Sequence, residues 1–200
     1  MLSEFLVYLR LGFEHIADIR GYDHILFVVA LCAGYEPRQW RKILVLVTAF
    51  TVGHSITLAL ATLRIVSIST DLVEFLIPLT IFLTGVFNIV VAARGGADEE
   101  ESRRARLLKY FLALGFGLIH GMGFSNFLRA VLGAEESIAL PLFAFNVGLE
   151  VGQICIVLVI LLLTFAIVHW VRMRRHDWIL VLSGAAAGVA LTLMAERFIG

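Results

Sequence analysis

Charge is scarce in this chain: only 16% of its 200 residues are Asp, Glu, Lys or Arg, and 16 basic residues balance 16 acidic ones. That balance argues against a nucleic-acid partner, which needs a basic excess. Cysteine is also scarce. Cys32 and Cys155 both sit inside apolar runs and read as small buried residues, not as a disulfide pair. The opening "MLSEFLVYLR" lacks the basic start and small-residue site of a cleavable signal. No nucleotide-binding motif and no convincing internal repeat occurs. What fills the chain instead is apolar: 60% of residues are hydrophobic and the mean hydropathy is +0.94. A soluble domain of this size has no interior large enough to hide that surface, so the expected solvent is a lipid bilayer.

A helix crossing a bilayer needs about 20 apolar residues. Five runs satisfy this, roughly 42–63, 71–93, 107–128, 140–170 and 178–198, and a shorter one covers roughly 22–36 before Pro37. Ahead of them, residues 1–20 place Phe5, Leu6, Leu9, Phe13 and Ile16 at helical spacing among Arg10, Glu14 and Asp18. The expected fold is one all-α integral membrane domain over residues 1–200, with six transmembrane helices preceded by an amphipathic or re-entrant N-terminal helix. Arg38, Arg41 and Lys42, then Arg94, Arg103, Arg104, Arg106 and Lys109, then Arg172, Arg174 and Arg175 fall in alternate loops. The positive-inside rule puts those loops in the cytoplasm and both termini on the outer face of the cytoplasmic membrane. The run "GGADEEESRRAR" is then a solvated inner loop.

Against this background the polar residues inside the spans stand out, because ionisable groups in a membrane are expensive and usually face an interior cavity. Asp23 and His24 open the first span. His54 lies about 12 residues from the inner end of the second, some 18 Å up a core about 30 Å thick. His120 falls late in the fourth span, and Asn146, Glu150 and Gln153 early in the fifth. Four spans thus send polar groups to one level. Asn146, Glu150 and Gln153 share a helical face, as do Thr51, His54, Ser55 and Leu58. Gly148 and Gly152 admit a close neighbouring helix. The glycines at 115, 117, 121 and 123 invite a helix break around His120.

Singly, each residue has an ordinary explanation. Asp23 suits a helix N-cap, a membrane histidine often bonds a neighbouring helix, Glu150 can bond Asn146, and Ser55 and Thr51 can bond their own carbonyls. Phe-rich stretches read as packing and lipid-facing surface, and His169 and His176 as interfacial residues. Together, imidazoles and carboxylates suit a divalent first-row metal such as nickel, cobalt or zinc. His15, eight residues before Asp23, adds a further imidazole, and Asp23 or Glu150 suits the role of carboxylate behind a ligating histidine.

Four stretches, "GFEHIADIRGYDHILFVVAL", "TAFTVGHSITLALA", "HGMGFSNFL" and "FNVGLEVGQ", together resemble the HupE/UreJ family of small membrane proteins, over essentially the whole chain. The resemblance implies a nickel or cobalt permease acting across the cytoplasmic membrane. It maps the family's site onto His15, Asp23, His24, His54, Ser55, His120, Asn146, Glu150 and Gln153. Seven residues separate His15 from Asp23 where the family pattern has five, which leaves open whether His15 is a direct ligand. The expected partners are the metal ion and the lipid bilayer, with a homo-oligomer left open. Two other functions compete: an intramembrane zinc-dependent hydrolase using the same His, Asp, Ser and Glu, and a structural or sensory subunit that transports nothing.

Overall fold

The computed structural model describes residues 2–66, 68–95, 102–132 and 138–199, and among them every regular element is helical. In chain order the α-helices are α1 (Leu2–Ile16), α2 (Asp23–Cys32), α3 (Trp40–Thr62), α4 (Thr70–Ala93), α5 (Arg103–Gly123), α6 (Ser125–Leu132), α7 (Ala139–His169) and α8 (Arg175–Ile199). A single 3-10 turn, Pro37–Gln39, precedes α3. Among the described residues, four segments are long and apolar enough to cross a membrane: Pro37–Thr62, Thr70–Ala93, Ala139–His169 and Arg175–Arg197. The two remaining expected spans differ from the sequence reading. The first, roughly 22–36, supplies a helix of only 10 residues, about 15 Å and half a bilayer core. The fourth, roughly 107–128, is divided: α5 begins earlier, at Arg103, with Ser102 Oγ accepting from Ala105 N at its N-cap, and gives way to α6 at Phe124. Much of the acidic run "GGADEEE" lies outside the described residues.

Three helix pairs dominate the packing: α3 with α5, α4 with α8, and α1 with α7. Glycine decides how close the first and third come. A Cβ at Gly53 would overlap the Leu114 carbonyl oxygen, one at Gly117 the Phe50 oxygen and one at Gly121 the His54 oxygen. Their order along both helices makes α3 and α5 parallel. This answers the expected break at His120. The glycines of α5 are used for backbone contact with α3, the helix runs intact through His120, and the interruption comes four residues later at Phe124.

The same device joins α1 to α7. Gly12 meets the Phe145 carbonyl, Gly148 the Leu9 carbonyl and Gly152 the Ile16 side chain, so the close approach expected at Gly148 and Gly152 is made by the N-terminal helix. Farther along α7, Val157, Ile160 and Leu161 share an apolar cluster with Val28 and Cys32 of α2. Hence α1 and α2 follow α7 one after the other in the same direction, interrupted at residues 17–22. The α4–α8 pair is antiparallel: Gly85 lies against Ser183 and Ala187, and Glu74 pairs with Arg197.

One end of the bundle gathers most of the basic residues. There Arg175 Nη2 donates to the Gly34 carbonyl at 3.0 Å, and Arg174 holds Asp177 at 2.8 Å. The cysteines do not pair. Cys32 is buried as expected, whereas Cys155 is exposed because it lies on an α7 face that no described helix covers.

Candidate metal centre

The interruption between α1 and α2 places two imidazoles at one level: His15 closes α1 and His24 opens α2. α3 brings His54 to the same place. One ring nitrogen from each of the three lies within 4.8 Å of the others. Ring centroids are 4.7 Å apart for His15 and His24, 5.9 Å for His15 and His54, and 6.1 Å for His24 and His54. His24 and His54 are buried, at 5% and 0% exposure, and His15 is partly exposed.

The hydrogen bonds reveal which nitrogens are free. Asp23 Oδ1 lies 2.9 Å from His24 Nδ1 and also accepts from the His24 backbone N–H at 2.8 Å. A carboxylate can only accept, so Nδ1 carries the proton and the lone pair is left on Nε2. That Nε2 is buried without a protein partner, as are His15 Nε2 and both ring nitrogens of His54. Unsatisfied buried polar atoms are uncommon and call for an explanation. Several converging imidazole nitrogens have a direct one, a divalent ion that takes their lone pairs. Asp23 fills the place of the carboxylate that orients a ligating histidine. It is the first residue of α2 and makes no side-chain cap, the N-cap being Tyr22.

His120 is adjacent and lies outside that three-histidine group. Its ring is 5.1 Å from that of His24, and its Nε2 is 3.0 Å from Thr80 Oγ1. Thr80 donates its only hydroxyl proton to the Ile77 carbonyl at 2.7 Å. The imidazole N–H must therefore donate to Thr80, which leaves His120 Nδ1 as a buried acceptor without a protein partner.

The remaining expected residues form a separate belt. Thr48 Oγ1 donates to Glu150 Oε1 at 2.6 Å, and Thr51 Oγ1 donates to Gln153 Oε1 at 2.6 Å. Ser55 Oγ donates to the Thr51 carbonyl of its own helix, also at 2.6 Å. Asn146 Oδ1 is buried without a partner. Glu150 thus faces threonine, not imidazole.

Sequence reasoning missed Thr80 and Thr48. Thr48 was detectable, since residues 48, 51 and 55 repeat at helical spacing. Thr80 was not, because nothing local in "IPLTIFLTG" points to a histidine on another helix. It also missed that the cluster is walled by phenylalanines: Phe124 lies 3.8 Å from His15 and Phe27 5.1 Å from His120. A hollow of about 810 Å³, lined by Glu14, His15, Asp18, Phe124 and Phe127 among others, reaches the cluster from the end opposite the basic residues.

Long apolar helices around a buried group of imidazoles define a multi-pass membrane protein with a candidate metal centre. The chain matches the HupE / UreJ protein family over residues 1–198 and belongs to that family, which is associated with nickel and cobalt uptake. No curated protein and no solved structure matches it.

Proposed function

We propose that this protein takes up a divalent transition metal, nickel or cobalt in preference to zinc, across the cytoplasmic membrane. His15, His24 and His54 are the ligands, Asp23 orients His24, and His120 stands beside them as a further donor. The observation that carries the reading is the convergence of buried, unpartnered imidazole nitrogens from three helices at the α1–α2 interruption. Broken helices at membrane depth are a recurrent way for transporters to build a binding site. On this reading α1 and α2 together make one broken crossing. With α3, α4, α5, α7 and α8 they give six, the basic end lies in the cytoplasm and both termini lie outside. The metal enters from the outer hollow. Glu150, Gln153, Thr51, Ser55 and Asn146 support the site from a neighbouring belt. The hydrolase reading is disfavoured because Glu150, its candidate base, is bonded to Thr48 and lies outside the histidine group.

Uptake into sealed vesicles, with nickel, cobalt and zinc offered separately, tests the proposal. Wild-type protein should accumulate at least one of them, and His54→Ala should not, while remaining in the membrane. Full uptake by His54→Ala and His120→Ala, or retention of a bound ion with no accumulation by wild type, would overturn it.

A further inference from the structure

Three histidine-bearing helices repeat one pattern. On α2, Phe27 follows His24 by three residues. On α3, Phe50 precedes His54 by four, and on α5, Phe116 precedes His120 by four. Because α2 runs toward the basic end and α3 and α5 run away from it, each phenylalanine lies one helical turn from its histidine on the basic-end side. The rings meet. Phe27 stacks on Phe50 with centroids 4.7 Å apart, and Phe116 stands edge-on to Phe27 at 6.0 Å. His120 rests on this layer, 5.1 Å from both Phe27 and Phe50. Phe27 and Phe50 are each 1% exposed.

The two sides of the histidine cluster therefore differ. On one side the hollow reaches His15. On the other, the phenylalanine layer separates the cluster from Asn88, whose Nδ2 donates to the Ala30 carbonyl at 2.7 Å, about one turn farther along α2. The nearer hydroxyls of Thr51 and Thr84 are already donated to Gln153 and to the Thr80 carbonyl. A hydrated divalent ion has no room among stacked rings. A bare ion finds only weak cation–π attraction there in place of its water.

We infer that Phe27, Phe50 and Phe116 form the inner barrier of the metal path, and that an ion leaves toward the basic end only when the Phe27–Phe50 stack parts. The inference rests on the transport reading above and adds to it the residues that control release. They set the rate and selectivity of passage without ligating the ion.

The experiment compares nickel binding to purified protein, by titration calorimetry, with nickel and magnesium passage into proteoliposomes carrying an internal metal-sensitive dye. Phe27→Ala and Phe50→Ala should bind nickel within about threefold of wild type, pass it at least fivefold faster and admit magnesium, which wild type excludes. Phe27→Leu keeps most of the volume and removes the stacking, so it gives the readout should the alanine variants not fold, with a smaller increase expected. Phe111→Leu, on an exposed position of α5, is the control. Intact nickel binding with nickel and magnesium passage equal to the control would overturn the barrier and leave the transport reading standing. Failure of wild type to bind nickel, cobalt or zinc at all would overturn both.

Discussion

The α3–α5 and α1–α7 pairs differ from the α4–α8 pair in what lies at the contact. In the first two, glycines on both helices let backbone meet backbone, and Gly53, Gly117, Gly121, Gly12 and Gly148 each face a carbonyl that leaves no space for a Cβ. In the third, Gly85 is the one comparable position among the described residues: a Cβ there would lie 2.8 Å from the Ser183 carbonyl and 3.0 Å from Ala187 Cβ, and Gly184 and Gly188 have open space around them. The distinction follows the histidines. His15, His54 and His120 are carried by the two tightly joined pairs, and His24 by α2, which continues α1 along α7 and also packs against α4 and α8. α4 contributes to the cluster only Thr80 and α8 nothing. Lipid gives apolar helices little reason to prefer each other, so small residues that permit contact fix which pairs form and how exactly their side chains are placed. The site is therefore anchored where the backbones touch, and α4–α8 packs around it.

The largest effect should come from filling a tight contact. Gly117→Ala or Gly148→Ala forces a backbone apart, and should lose at least the roughly 1–3 kcal/mol typical of overpacking together with metal binding. An unchanged melting temperature in detergent would break the comparison. Next, His54→Ala leaves the α3–α5 contact intact and removes a proposed ligand. Nickel affinity should fall by more than about 100-fold with the melting temperature of the ion-free protein nearly preserved. Asp23→Asn keeps the ring and weakens its orientation. A drop of roughly 10–100-fold in affinity is expected for a group behind a ligand, and no change in a titration would remove Asp23 from the site. Gly85→Ala should destabilise by about 1 kcal/mol with nickel affinity unaltered, because α4–α8 carries none of the proposed ligands. Smallest of all, Gly188→Ala meets nothing and should be neutral or stabilising by about 0.5–1 kcal/mol, the ordinary gain of alanine over glycine within a helix. A large loss there would show that α8 is packed more tightly than its pairing with α4 requires.

Much of the candidate site was legible because a charged or imidazole side chain in an apolar run is conspicuous whatever it touches. His24, His54 and Asp23 were found that way, and His15 by its nearness to Asp23. The grouping was less so. His120 and Glu150 belong to the same level by counting residues, yet one turns to Thr80 and the other to Thr48. Depth along a helix is one coordinate, and rotation about it and the choice of neighbour are two more. Phenylalanine gave the weakest signal. Phe27 and Phe143 look alike in an apolar run, and only packing makes the first fully buried and the second 61% exposed.

The sequence by itself determined that this chain is helical, lives in a membrane, carries most of its positive charge at one end of the bundle and has imidazoles where apolar residues are expected. Those properties follow from composition and spacing, which act residue by residue. The tertiary structure decided that α1 and α2 lie end to end along α7, that glycine contacts bring α3 against α5, and that three ring nitrogens are left facing one another beside a layer of phenylalanine. These depend on which helices touch and at what rotation, a choice made by contacts between residues far apart in the chain.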